Sequence, residues 1–132
     1  GGLHEVRYIS GDTWNVNPAA LKTVERLFCR NERLALEFET DQGPLAMVLV
    51  GAINVAAIET VWSGLVTPPP RREIEVTDRQ EAGIELVRGA EMGRFNMGST
   101  VILLFAKGRT NWLDELQAEQ PVRMGQALGS RN

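Results

Sequence analysis

The sequence predicts a mainly β protein: an antiparallel β-sandwich or partly open barrel with one short helix. Three observations predict it. The apolar residues of the 132-residue chain fall in runs of strand length, several runs alternate between apolar and polar, and turn-forming residues separate them. After Asn17 alone the apolar residues recur at helical spacing.

The elements follow in order. Leu3–Ile9 alternates in part, and Ser10-Gly11-Asp12 supplies turn chemistry. Asn17 is an N-cap, and Pro18 at the first helical position loses nothing by lacking an N–H. Ala20, Leu21, Val24, Leu27 and Phe28 then share a face, predicting one amphipathic helix ending near Arg30-Asn31. Arg33–Thr40 alternates as a strand with Leu34, Leu36 and Phe38 on one side. Asp41-Gln42-Gly43-Pro44 is a tight connection to a buried strand, Leu45–Val50, which makes a hairpin.

Ala52–Trp62 is β-prone, and its small residues predict close packing of one layer on another. Ser63–Pro70 reads as a loop, because Pro68-Pro69-Pro70 lacks donors for a central strand. Arg71–Asp78, Ile84–Arg88 and Ser99–Ala106 read as further strands. Trp112–Leu116 reads as a helical turn, Pro121–Leu128 as a last strand and Gly129–Asn132 as a loose end. The whole is one domain, residues 1–132.

Composition excludes several classes of function. With 43% hydrophobic residues the chain can build a core, and a net charge of -3 argues against a nucleic-acid binder, which would show a basic face. One cysteine and one histidine exclude an internal disulfide, a cysteine-based metal cluster and a His-rich metal site. No run approaches the ~18 apolar residues that a membrane-spanning helix needs. The opening Gly1-Gly2-Leu3 reads like the middle of a domain, as in a truncated chain.

The chemistry is concentrated at Gly98-Ser99. Glycine permits strained backbone angles and close approach to its carbonyl. The hydroxyl of the next serine lies near that carbonyl carbon, so it can attack and convert the peptide to an ester, with proximity replacing a bimolecular encounter. The dipeptide alone is equally an ordinary turn before a strand.

The longer string decides between them. Glu91-Met92-Gly93-Arg94-Phe95 followed by Gly98-Ser99-Thr100-Val101-Ile102-Leu103-Leu104-Phe105 resembles the self-processing region of bacterial phosphatidylserine decarboxylases, E-M-G-x-F-x-x-G-S-T-V-I-x-L-F. Gly11-Asp12, Asn15-Val16-Asn17, Asn31-Glu32-Arg33, Val50-Gly51-Ala52, Glu59-Thr60-Val61-Trp62, Gly64 and Thr67-Pro68-Pro69 are also similar to the family, in the right order. The resemblance covers about residues 1 to 128.

It implies self-cleavage between Gly98 and Ser99. A β chain (1–98) would then end at Gly98, and an α chain (99–132) would begin with a pyruvoyl group made from Ser99. The covalent pyruvoyl would be the cofactor, forming a Schiff base with the serine amine of phosphatidylserine and taking up the electron pair left when carbon dioxide departs. The resemblance further implies the hybrid topology of glucose-permease IIA and biotinyl carrier domains. It also implies two chains that stay associated after cleavage, a possible homodimer, and a peripheral location on the cytoplasmic face of the bacterial inner membrane. The family's anionic-membrane contact lies in an N-terminal segment upstream of the matching region. So do its catalytic Asp and His, the His in an H-x-x-H-x-P stretch. Both are missing here, and residues 1–132 alone are therefore expected to be inactive. His4 does not replace that His and is assigned to a solvated strand position.

Four more residues are pocket candidates. Trp62 reads first as a core aromatic and alternatively as a lipid-pocket wall. Glu91 is a substrate-amine contact or a partnered structural carboxylate. Phe95 and Met97 flank the reactive serine and either fix the loop or shape the acyl-facing wall. Arg71-Arg72 reads as solvated surface, with an anionic-lipid contact as the alternative. Cys29 reads as small and half buried. Lys22 and Lys107 lack the flanking methionines of a lipoyl or biotinyl carrier. Two other readings compete: a pyruvoyl enzyme acting on a free amino acid, and a noncatalytic β-sandwich binding module.

Overall fold

A computed structural model describes residues 1–53, 57–67, 83–97 and 100–132, together with the main chain of 75–78. Its strands are β1 (Gly2–Ile9), β2 (Arg33–Thr40), β3 (Gly43–Val50), β4 (Ile58–Thr60), β5 (Gly64–Leu65), β6 (Glu75–Asp78), β7 (Gly93–Phe95), β8 (Thr100–Phe105), β9 (Thr110–Trp112) and β10 (Gly129–Arg131). Helices α1 (Pro18–Thr23) and α2 (Leu27–Arg30) lie between β1 and β2.

Alternation builds the main sheet, whose order is β6-β1-β2-β3-β8 with every neighbour antiparallel. Leu34, Leu36 and Phe38 of β2 stand opposite Tyr8, Val6 and Leu3 of β1, and opposite Leu49, Met47 and Leu45 of β3. Residues directly opposite share a face, so these side chains form one apolar layer while Arg33, Glu37 and Glu39 take the other side. That layer packs on Ile58, Trp62, Val66, Ile84, Leu86, Met92 and Phe95. Ile58 and Phe95 belong to a second sheet, β5-β4-β7, which Trp62, Val66 and Met92 flank in the chain. Each fully buried Leu or Ile contributes about 1.5–3 kcal/mol, so this two-layer contact is the main support of the fold. The sheets among the described residues are open, without a closed barrel.

The hairpin forms where expected, with Thr40 opposite Gly43 and Asp41-Gln42 as its two-residue loop. Pro44 lies inside β3, earlier than predicted. The register explains its tolerance: β8 reaches only as far as Leu45, so no third strand seeks an N–H from Pro44.

Several assignments need correction. The single helix is two pieces, because Val24 is extended and Arg26 is left-handed at φ 55°. The break buries Leu27 and leaves Leu21 exposed, so the helical spacing across it does not mark one continuous face. Cys29 is exposed rather than half buried. Ile84–Arg88 makes only a bridge, Gly2 with Glu85, flanked by bonds from Leu3 N to Ile84 O and from Leu86 N to Gly1 O.

The C-terminal assignments are exchanged. Pro121–Leu128 is not a strand. Arg123 and Gln126 close a local turn through N–H to Oε1 and N–H to O bonds of 2.9 and 3.0 Å, and Val122 and Met124 are exposed with no layer to bury them. The expected loose end instead forms β10, paired with Thr110–Trp112. Trp112 is accordingly the last residue of a strand, and the helical turn shrinks to one bond from Leu116 N to Leu113 O. His4 sits at a β-bulge between Leu3 and Glu5, half buried, with its Nδ1 enclosed and unpartnered, rather than in a solvated position.

Candidate functional site

The end of the main sheet where β2 begins and β3 ends holds two of the buried polar residues, Asn31 and Glu32. Arg33 pairs with Val50, and Val50 pairs with Thr100, the first residue of β8. Ser99 and Gly98 precede Thr100 directly in sequence and lie outside the described residues, as do Arg71 and Arg72.

Two residues before β2 organise this end. Asn31 is fully buried; its Oδ1 accepts the Trp14 N–H at 2.9 Å, and its Nδ2 donates to the carbonyls of Trp14 at 2.7 Å and Gly51 at 2.9 Å. It ties the segment before α1 to the exit of β3. Glu32 is 8% exposed, and its Oε2 accepts a 2.9 Å hydrogen bond from the Tyr8 hydroxyl. Its main-chain carbonyl accepts from Gly51 N–H at 2.9 Å, carrying the β2–β3 pairing one residue past the strands. Gly51 is needed there: an added Cβ would come to 3.1 Å from Glu32 Cγ and 3.4 Å from Oε1. The carboxylate thus lies close over the Cα of Gly51, on the face shared by Tyr8 and the core.

The approach to Gly98 comes from the second layer. β7 pairs with β4, Ile58 opposite Phe95 and Glu59 opposite Arg94. Arg94 Nε lies 2.8 Å from Glu91 and 3.9 Å from Glu59, and Asn96 Nδ2 donates to Glu59 Oε1 at 3.3 Å. Glu91 is therefore a partnered, exposed carboxylate. Trp62 and Phe95 are both half buried against the core cluster, whereas Met97 is 62% exposed and reaches no core contact. The structure joins Trp62 and Phe95 to one apolar layer and Glu91 to an ion-pair network. Among the described residues no group of three or more His, Cys, Asp or Glu side chains could hold a metal.

Sequence reading gave no role to Tyr8, Asn31, Glu32 or Gly51. A buried polar pair just before a strand carries no periodic signal. Only the occurrence of Asn31-Glu32 and Gly51 within family-like segments pointed to them.

Fold and site together define an open antiparallel β scaffold with a buried polar pair, Asn31 and Glu32, beside the start of its central strand β2. The family model for phosphatidylserine decarboxylase matches residues 1–130. The phosphatidylserine decarboxylase proenzyme of Nitrosococcus oceani is 53% identical over 130 residues, covering 98% of this chain and 42% of that protein. The proenzyme of Pseudomonas fluorescens is 51% identical over 135 residues, covering 100% of this chain and 47% of its own length. That of Bordetella pertussis is 51% identical over 130 residues, with 97% and 44% covered. The chain belongs to the phosphatidylserine decarboxylase family. It spans less than half the length of these relatives.

Proposed function

We propose that this chain is the pyruvoyl-bearing part of an enzyme that decarboxylates phosphatidylserine to phosphatidylethanolamine, with the pyruvoyl made from Ser99 by self-cleavage after Gly98. Family membership over residues 1–130 supports the reaction. The observation that carries the processing step is the anchoring of β8: Thr100, next after Ser99, opens a strand paired with β3 from Val50 back to Leu45.

The described residues fit a carbonyl group generated at that position. The chain beyond the bond is held by β3, so it keeps its place when the bond is cut. Val101, opposite Leu49 on the core face, is 48% exposed and leaves that face accessible at the start of β8. When present, the group supplies a ketone that takes up an amine and a conjugated system that takes the electron pair left by carbon dioxide. Trp62 and Phe95 contribute an apolar wall in the second layer, and Met97 an apolar side chain at the approach. Arg94, held by Glu91 and Glu59, fixes the segment leading to Gly98.

The same reading makes the two chains partners after cleavage and the enzyme a peripheral protein, a homodimer in some members, on the cytoplasmic face of the bacterial inner membrane. Contact with anionic lipid runs through the segment upstream of this region. No helix among the described residues is long and apolar enough to cross a membrane. Residues 1–132 expressed alone should stay uncut, because the Asp and His of the family lie upstream.

The test is intact mass and lipid turnover of the full-length protein. Wild type should yield a C-terminal piece beginning with a carbonyl-bearing residue 99, together with phosphatidylethanolamine formation. Ser99→Ala should remain one chain and form no product. An uncut, unmodified Ser99 in active wild-type protein overturns the proposal.

A further inference from the structure

The carboxylate of Glu32 presents an unbalanced charge. It is 8% exposed, and only one of its oxygens, Oε2, is hydrogen-bonded among the described residues, to the Tyr8 hydroxyl at 2.9 Å. Ion pairs among the described residues join Arg7 to Glu5, Arg30 to Asp12, Arg94 to Glu91 and Glu59, and Arg131 to Asp41; none of them involves Glu32. A buried carboxylate without a cation is costly, and proteins ordinarily supply one. A tyrosine hydroxyl donates one bond but brings no positive charge.

Its setting says what kind of cation it is built for. Oε1 lies against Gly51, where an added Cβ would come to 3.4 Å from it. Gly51 follows Val50, whose partner Thr100 opens β8 and follows Ser99 in the chain. The oxygen without a hydrogen bond among the described residues is thus at the sheet end where the strand carrying the proposed reactive carbonyl starts. Tyr8 is itself in the core, opposite Leu34, so the carboxylate is clamped from a rigid strand.

We propose that Glu32, held by Tyr8, is the carboxylate that receives the primary ammonium of the substrate's amino-acid headgroup. This deepens the reading of Ser99 as a carbonyl precursor and rests on it. An ammonium is compact, has three donors and balances the buried charge only when substrate is present. Glu32 therefore acts in headgroup selection: it discriminates amine-bearing from amine-free anionic lipids. One charge-assisted bond at a buried site corresponds to roughly 10-fold or more in affinity.

The experiment uses full-length matured protein, reduced with borohydride so that no turnover occurs. Binding of short-chain phosphatidylserine and phosphatidylglycerol, both below micelle-forming concentration, is measured by calorimetry for wild type, Glu32→Gln and Tyr8→Phe. A gain of two hydrogens on the Ser99-derived residue of wild type shows that the carbonyl was there; no gain means the Ser99 reading has failed. Given that gain, wild type should prefer the serine lipid by about 10-fold or more. Glu32→Gln should lose that preference with phosphatidylglycerol binding unchanged, and Tyr8→Phe should lose part of it. A folded Glu32→Gln protein that keeps the full preference, or that fails to mature, overturns the proposal. If Glu32→Gln does not fold, full preference in Tyr8→Phe overturns it.

Discussion

Asn31 and Trp14 are joined by a reciprocal pair of bonds, the Asn31 side-chain amide accepting the Trp14 N–H at 2.9 Å and donating to the Trp14 carbonyl at 2.7 Å. The side chain thus extends to Trp14 the main-chain bridge that Asp12 makes with Asn31. With its further bond to the Gly51 carbonyl, it ties the Trp14 segment to the neighbouring ends of β2 and β3. Asn31→Ala would remove all three bonds and strand main-chain groups at a fully buried position. The expected loss is about 2–4 kcal/mol of unfolding free energy, read as a lower urea midpoint at unchanged slope.

The hairpin between β2 and β3 tests a different cause. Gly43 has φ +94° and open space where a Cβ would go, so substitution costs backbone strain and nothing else. Thr40 Oγ1 donates to the Gly43 carbonyl at 2.7 Å and accepts from Gln42 N at 3.1 Å, which holds the turn in that conformation. Gly43→Ala should cost about 1–2 kcal/mol, and Gly43→Asn less, since asparagine tolerates left-handed angles better. Equal costs for both variants would show that strain at φ is not the determinant.

Gly51 is the opposite case. Its backbone angle is ordinary and its surroundings are full: an alanine Cβ would press on Glu32 Cγ at 3.1 Å. Gly51→Ala should displace the carboxylate and cost about 1–2 kcal/mol, and Gly51→Val about twice that. The check is a mutant cycle with Glu32→Ala, which empties the contact. Most of the Gly51→Ala cost should vanish in the double variant if the clash is the cause.

What was legible in the sequence follows from what these residues do. Leu34, Leu36 and Phe38 are periodic because one sheet face is buried, so β2 and, in part, β1 could be read from alternation, and β3 and β8 from apolar runs of strand length. Helix spacing over Ala20–Phe28 misled because Arg26 turns left-handed, a local conformation that no periodicity encodes. β10 was missed because Gly129-Ser130-Arg131 has no apolar alternation, and its pairing partner Thr110–Trp112 supplies the order. At the site, the Glu91–Phe105 string was recognisable as a motif. The Tyr8–Glu32 pair joins residues 24 apart in the chain, and only the β1–β2 register brings them together.

That register also bears on what holds the protein after processing. β8 is paired with β3 at six positions, Leu45 with Phe105 through Val50 with Thr100, and Phe105 packs edge-on against Trp112 at 5.6 Å between ring centroids. None of these contacts involves the bond between Gly98 and Ser99, so cutting it leaves the ladder and the apolar contacts of β8 intact. Covalent connection lowers the entropy of association, but a paired, partly buried strand keeps its neighbours without it. The two pieces of the matured protein should therefore elute together from a size-exclusion column in native buffer and separate in concentrated guanidinium. Val48→Asp, which puts a charge beside Ile102 on the strand opposite, should weaken that association and release the C-terminal piece at a lower denaturant concentration. Coelution lost in native buffer for the wild-type protein would mean that the β3–β8 ladder does not carry the assembly.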